Sequence, residues 1–217
     1  IIPLYSKEGE LEMVVCAIPF LRDREMYRNV VDSSTRSVEK IKEGIQTYYE
    51  DMAQIAQSYK SLGIPVIATG HLYARGASVG EKEEEGEGEA EREIYMGNLG
   101  KFDAAFFPSM FDYIALGHIH KTQIIGSNPF IRYSGSPIPL SFSESSYKHS
   151  VLLLDFVGGT LKEEAIHKLE VPLLRRLVRW KKPLSEVRKL AEDQQPQEDG
   201  YLKTWLEVKV PKEDFSP

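Results

Sequence analysis

The feature that most constrains the fold is an apolar stripe over residues 38–62, followed directly by an apolar, β-branched segment. Members of the stripe recur at alternating steps of three and four residues, which is one face of an amphipathic helix. They are Val38, Ile41, Ile45, Tyr48, Met52, Ile55, Tyr59 and Leu62. Gly63 is expected to end the helix, and "IPVIATGHL" (64–72) reads as a buried strand. With the earlier apolar strand "LEMVVCAIPF" (11–20), this order predicts an α/β unit.

The remaining segments extend this unit and then change character. "FDYIALGH" (111–118) and "FIRYSGS" (130–136) are predicted strands, and "HSVLLLDF" (149–156) is predicted to pair with "LKEEAIHKLEV" (161–171) across Gly158 and Gly159. From about residue 171 a basic stretch, a short helix candidate (184–193) and an alternating strand (201–210) predict a second, small unit. One helix and one strand cannot close a core, so we expect this unit to be incomplete.

Composition narrows the class of protein. The 217 residues are 41% hydrophobic, which is enough for a packed core. No apolar run approaches the ~20 residues that cross a membrane, and no N-terminal signal segment is visible. The single cysteine, Cys16, cannot form an internal disulfide and is interpreted as a small core residue on a strand. These features predict a cytoplasmic protein without a membrane segment.

The acidity of the chain is concentrated in one stretch. Residues 81–93, "EKEEEGEGEAERE", carry a net charge of -6, which equals the net charge of the whole chain. The remainder is therefore near neutral. A Gly- and Glu-rich segment has no apolar face to bury, so residues 74–93 are predicted to form a mobile, solvated loop.

Three histidines fall at predicted strand ends. His71 ends "VIATGH", while His118 and His120 end "YIALGHIH". The carboxyl ends of strands are where open α/β sheets place their chemistry. Glycine before His71 and before His118 is expected to let the chain turn sharply and a ligand approach. Side chains two apart on extended backbone, as in His118 and His120, point the same way. Imidazole suits divalent transition metals, so we predict half of a metal site.

The other histidines receive a different interpretation. His149 opens one predicted strand and His167 lies on another, and both are expected at the surface. Asp112 precedes a strand and is interpreted as structural. His71 taken alone is better explained as an ordinary polar residue at a strand edge.

The motifs carry a resemblance to a known family. "AIPFLR", "IPVIATGHL", "FDYIALGHIHKTQ" and "IRYSGSPIPLSFSE", in this order, resemble the later part of a calcineurin-like metallophosphoesterase. More narrowly they resemble the SbcD-type nuclease subunits of bacterial DNA-end-processing complexes. The resemblance covers most of residues 10–170 and continues more loosely to the end of the chain.

The resemblance implies a fold and a site. The fold class would be α/β (α+β): residues 1–170 would form the second half of a four-layer β-sandwich flanked by helices. Residues 171–217 would begin a small α/β cap domain that binds DNA. Two Mn²⁺ ions would lie at the strand ends, with His71 and His118 serving one ion and His120 the other.

It also implies an activity and partners. Such subunits hydrolyse phosphodiesters at double-stranded DNA ends and hairpins, in DNA replication, repair and recombination. They work with an SbcC-type ATPase subunit and form homodimers. Candidate DNA contacts are charged or polar residues, two in the "IRYSGS" segment and five at the start of the predicted cap. They are Arg132, Ser134, Arg175, Arg176, Arg179, Lys181 and Lys182. For the five basic residues between 175 and 182 a solvated surface is an equally good explanation. Arg132 and Ser134 stay open, and Tyr133 is interpreted as core.

The chain also departs from the family pattern. Asp-x-His, Gly-Asp and Gly-Asn-His motifs, which would supply the remaining ligands and the histidine that assists the leaving group, do not occur in it. We therefore expect a piece of a longer protein that binds metal poorly and does not cut DNA alone, with its catalytic residue unassigned. A non-catalytic interaction fragment and a phosphoesterase acting on small phosphodiesters stay open as alternatives.

Overall fold

A six-stranded mixed sheet forms the centre of the protein. The computed structural model describes residues 1–21, 38–74, 103–193 and 202–215. The sheet order is β1-β2-β3-β4-β6-β5. Its strands are β1 (Ile2–Tyr5), β2 (Leu11–Cys16), β3 (Val66–His71), β4 (Tyr113–Gly117), β5 (Gln123–Ile125) and β6 (Asn128–Tyr133). The four central strands run parallel, and β1 and β5 add antiparallel edges. The predicted α/β class is confirmed.

One long helix, α1 (Val38–Ser61), packs on this sheet, but its buried face differs from the predicted stripe. Tyr48, Ile55 and Leu62 are 39%, 56% and 76% exposed. The fully or nearly buried positions are Ile41, Ile45, Tyr49, Ala53 and Ala56. Ala53 and Ala56 are weakly hydrophobic, so the sequence pattern did not mark them as buried. Tyr48 and Tyr49 are adjacent, and either could continue the apolar stripe at helical spacing. The prediction of a helix is confirmed. After Ile45, Met52 and Tyr59 of the predicted stripe pack against the core, whereas Tyr48, Ile55 and Leu62 are exposed.

Contacts at the end of α1 set the next strand. Gly63 takes φ +77°, and its N–H donates to the Lys60 carbonyl at 3.0 Å, so this glycine ends the helix as predicted. Asp112 accepts a hydrogen bond from the Val66 N–H at 2.8 Å and pairs with the Lys60 ammonium. The carboxylate of Asp112 therefore joins α1, β3 and the start of β4, which agrees with a structural role.

The core between α1 and the sheet is apolar. Cys16, Val66, Ala68 and Tyr133 are fully buried in it. Burial raises the pKa of the Cys16 thiol, which keeps it protonated and unreactive. The interpretation of Cys16 and Tyr133 as core residues is confirmed.

A hairpin follows the sheet. β7 (Ser150–Val157) pairs antiparallel with β8 (Thr160–Glu170). Gly158 and Gly159 occupy the two turn positions with φ +57° and +75°, a two-residue turn that needs left-handed backbone at both positions. The predicted pair and its turn are confirmed.

The last described segments form a β-α-β unit. β9 (Arg175–Lys181) and β10 (Leu202–Lys209) pair in parallel, with α2 (Leu184–Asp193) between them in sequence. None of the residues of α2 is buried, and Leu202, Trp205 and Leu206 are exposed by 44% or more. The division of the chain near residue 170 stays a prediction.

Most of the predicted acidic loop, residues 75–93, lies outside the described residues. Its first residue, Ala74, is buried, and its N–H donates to the Tyr133 hydroxyl at 2.9 Å. Within the described ranges, no helix has the length and apolar character needed to cross a membrane.

Candidate metal centre

Two of the predicted ligands meet where β3 and β4 end. The strands are parallel, and His71, the last residue of β3, is in register with Gly117, the last residue of β4. His118 follows directly. The imidazole rings of His71 and His118 therefore come together, with centroids 5.2 Å apart and planes at 75°. Adjacent parallel strand ends account for this pairing, as the sequence predicted.

The glycines before these histidines act differently from the expectation. Neither Gly70 nor Gly117 has a positive φ, so neither makes the turn. A Cβ at Gly117 would lie 3.0 Å from His71 Nδ1, and a Cβ at Gly70 would lie 2.0 Å from the Tyr49 hydroxyl. The glycines make room for neighbouring side chains, so the predicted turn was placed on the wrong residue.

The turn occurs at His118 itself, which has φ +105°. Among the described residues it is the only non-glycine residue with positive φ. Such backbone costs a residue with a Cβ about 1–3 kcal/mol and persists only where surrounding contacts enforce it. Strain of this kind concentrates at functional sites, so the backbone singles out His118 independently of its side chain.

His120 is oriented by a carboxylate that sequence reasoning missed. Its Nδ1 lies 2.7 Å from Glu144 Oε1. Glu144 is 3% exposed and lies in a 3-10 helix (Phe142–Glu144), so this contact links residues 24 positions apart. The available signal was an acidic residue inside the "SGSPIPLSFSE" motif on which the resemblance rests.

The protonation preferences of the site favour metal ligation. Burial raises the pKa of Glu144, but hydrogen bonds from His120 and the Leu140 N–H outweigh it, and the pKa is lowered. The pKa of His71 is lowered by partial burial and then by the nearby charge of His120. A lowered pKa keeps the His71 imidazole neutral, which is the form that binds a metal.

The donor set fits part of a metal site. His71, His118 and His120 supply imidazole nitrogen from adjoining strand ends, and a carboxylate supports one of them. In residues 1–21, 38–74, 103–193 and 202–215, no three His, Cys, Asp or Glu side chains are spaced to hold an ion by themselves. The structure therefore brings the rings of His71 and His118 together and, in its described part, does not add His120 to them as a third ligand of one ion.

The predicted DNA contacts fall into two groups, of which the first lies on β9 and just after it. Arg175 stacks on Trp205 at 4.2 Å, Arg179 pairs with Glu207, and Lys182 pairs with Glu186 at 2.8 Å. Arg176 and Lys181 are exposed on β9.

Arg132 and Ser134, the second group, lie on and just after β6. The Arg132 Nε donates to the Pro129 carbonyl, and the Ser134 hydroxyl donates to the Gly135 carbonyl at 3.3 Å. These local contacts leave the proposed DNA role of both residues a prediction.

The placement of His149 at the surface was wrong. It is 3% exposed, and its Nδ1 lies 2.9 Å from the Ser136 carbonyl oxygen. Its buried Nε2 has no hydrogen-bond partner in the described part of the chain. The loop that carries Ser136 covers His149, which the sequence alone did not show. His167 is exposed as expected and pairs with Asp155 at 3.1 Å.

The parallel sheet and the histidines at its strand ends agree with part of an α/β metallophosphoesterase, the class inferred from the motifs. No family model matches the chain. Curated relatives do: it is 34% identical to the SbcD subunit of the nuclease SbcCD of Escherichia coli over 98% of its length, and 30% identical to the SbcD subunit of Rhodobacter capsulatus over 92%. The SbcD subunit of Bacillus subtilis is 31% identical over 66% of the chain.

These matches confirm the resemblance to SbcD-type nuclease subunits. The chain spans about half the length of two of these curated relatives, 50% of the Escherichia coli protein and 48% of that of Rhodobacter capsulatus.

Proposed function

We propose that this chain is part of an SbcD-type, metal-dependent DNA nuclease subunit that hydrolyses phosphodiesters at double-stranded ends and hairpins. The observation that supports the proposal most is the pairing of the His71 and His118 rings at adjoining parallel strand ends, where His118 has strained backbone. His120 follows two residues later and is held by a buried carboxylate. Similarity to nuclease subunits supports the same reaction class.

The three histidines would hold two Mn²⁺ ions, His71 and His118 at one and His120 at the other. Bound Mn²⁺ would supply an activated water and stabilise the charge that develops on the phosphate. The chain's own residues contribute imidazoles at fixed positions. A lowered pKa keeps His71 unprotonated, and Glu144 holds the His120 ring. Electrostatic stabilisation of this kind is effective because the ligands are already in place before the substrate binds.

The name SbcCD, which the relatives share, supports an SbcC-type ATPase as the partner of the whole protein. The complex would act in the cytoplasm, with the nuclease subunit as a homodimer, in DNA replication, repair and recombination. Alone, the chain would bind Mn²⁺ weakly and leave DNA uncut, because its sequence contains no Asp-x-His, Gly-Asp or Gly-Asn-His motif.

The test compares Mn²⁺ binding and cleavage of linear duplex DNA by this chain and by a polypeptide extended to the length of the relatives. We expect cleavage only by the longer form, abolished by His118→Ala. The matched control is His167→Ala, which removes an exposed histidine that also pairs with a carboxylate. Full activity of the His118→Ala protein would refute the assignment. Cleavage of small aryl phosphodiesters but not DNA would favour the broader phosphoesterase alternative.

DNA binding by β9 is proposed for Arg176 and Lys181 first, because these side chains are exposed and the other predicted contacts already have protein partners. The logarithm of DNA affinity falls linearly with the logarithm of salt concentration, and each phosphate contact makes this slope steeper by about one. Replacing both residues by glutamine should lower that slope by about two. An unchanged slope would assign the basic strand to the solvated surface.

A further inference from the structure

A single loop, residues 134–144, holds His120 at its main chain and at its ring. The Ser136 N–H donates to the His120 carbonyl at 3.0 Å. Gly135 has φ +79°, and a Cβ there would lie 2.7 Å from the same carbonyl oxygen. Glycine at this position therefore allows the loop to approach His120 closely. The loop then returns through the 3-10 helix to bring Glu144 to the ring.

The contacts of Glu144 define its state. Its Oε2 accepts from the Leu140 N–H at 2.9 Å and from the Ser136 hydroxyl at 3.4 Å, and its Oε1 accepts from the Ser141 hydroxyl at 3.3 Å. Oε1 also faces His120 Nδ1 at 2.7 Å. Every one of these partners can donate a hydrogen bond, and a buried carboxyl group surrounded by donors is an acceptor only, which is the ionised form.

An acceptor at Nδ1 decides the tautomer of His120. Because the carboxylate can only accept, Nδ1 must carry the proton. In the neutral ring the lone pair then lies on Nε2. Carboxylate–histidine pairs fix ring orientation and raise the basicity of the ligating nitrogen in the same way.

We propose that Glu144 is a positioning residue that sets the tautomer and direction of His120, so that Nε2 is the nitrogen offered to metal. The inference rests on the proposed function, since it assigns the partner of a proposed ligand. Glu144 itself touches no reacting atom in this role. The hairpin pair of Asp155 and His167, with 58% and 46% exposed side chains, has the same chemistry without the burial and is the natural control.

The first measurement is the tautomer of His120 by ¹⁵N NMR in the full-length polypeptide after metal is removed with a chelator. We expect the Nδ1–H form in the wild type. In Glu144→Gln the amide oxygen keeps the Leu140 N–H only if the NH2 group faces Nδ1, so the ring should switch to the Nε2–H form. An Nε2–H form in the wild type would overturn the inference without any need for a variant to fold.

The second measurement is Mn²⁺ affinity by titration calorimetry. Loss of a partner of this kind lowers metal affinity about 10- to 100-fold, so Glu144→Gln should fall in that range and Asp155→Asn should stay within about twofold. Equal affinity and the same tautomer in Glu144→Gln would overturn the inference. Failure of the wild type to bind Mn²⁺ would instead overturn the proposed function. The tautomer measurement would still test whether Glu144 selects the Nδ1–H form of His120.

Discussion

Gly70, the residue before His71, packs against Tyr49, and replacing Gly70 by alanine should disrupt this pair. Tyr49 is fully buried, and its hydroxyl donates to the Thr69 carbonyl at 3.0 Å. An added Cβ at residue 70 would lie 2.0 Å from that hydroxyl. Because such a distance is impossible, the tyrosine ring must shift and release its hydrogen bond.

The expected cost follows from two contributions. Overpacking of a well-filled core costs about 1–3 kcal/mol, and loss of a hydrogen bond costs about 0.5–1.5 kcal/mol. Gly70→Ala should therefore destabilise the protein by about 2–4 kcal/mol. If the hydroxyl is removed first, the nearest remaining atoms are Leu116 Cδ2 at 3.3 Å and the ring carbon Cζ at 3.4 Å. In a Tyr49→Phe background the same alanine should cost less than about 1 kcal/mol.

The assay is a double-mutant cycle in urea, followed by far-UV circular dichroism. Tyr49→Phe alone should cost about 1 kcal/mol, and the coupling energy between residues 49 and 70 should be about 1–3 kcal/mol. Tyr48→Phe is the matched control, because Tyr48 is 39% exposed, and it should change stability by less than about 0.5 kcal/mol. Additive effects at residues 49 and 70 would refute the packing argument.

Three further perturbations have defined outcomes. Gly117→Ala adds a Cβ 3.0 Å from His71 Nδ1, so Mn²⁺ affinity of the full-length protein should fall while its melting temperature changes little; unchanged affinity would contradict this. His118→Gly should be about 1–2 kcal/mol more stable in urea than His118→Ala, because both lose the imidazole and only glycine tolerates φ +105°; equal stability would show that the backbone is not strained. Asp112→Ala leaves the buried Val66 N–H without its 2.8 Å acceptor and should cost about 1–3 kcal/mol, whereas a neutral result would remove Asp112 from the structural role.

The sequence allowed prediction of those parts of the fold that depend on local pattern. β3, β4 and the Gly158–Gly159 hairpin follow from apolar runs and from glycines that take positive φ. The meeting of His71 and His118 followed from the rule that parallel strands end at one edge. Each of these inferences needed only neighbours in sequence or a rule of sheet geometry.

Features set by tertiary contact could not be predicted in the same way. The buried face of α1 includes Tyr49, which packs against Gly70. The spacing of apolar residues along the helix does not show this contact. The burial of His149 and the partner of His120 depend on one loop, which makes these contacts across 13 and 24 residues of sequence. Gly70 and Gly117 were predicted to be important because they would form turns, but they lie against neighbouring side chains instead. The sequence does not distinguish a glycine needed for close packing from one needed for a turn.

In the Gly-His-x-His segment, His118 has strained backbone and His120 is held by hydrogen bonds, and the first depends on the second. His118 holds an unfavourable φ, which persists only if the residues after it cannot relax. Ile119 is 6% exposed in the core, and His120 is held by the Ser136 N–H and by Glu144. Contacts of the residues after His118 thus offset its strain. The same contacts that orient one imidazole therefore keep the other in place beside His71.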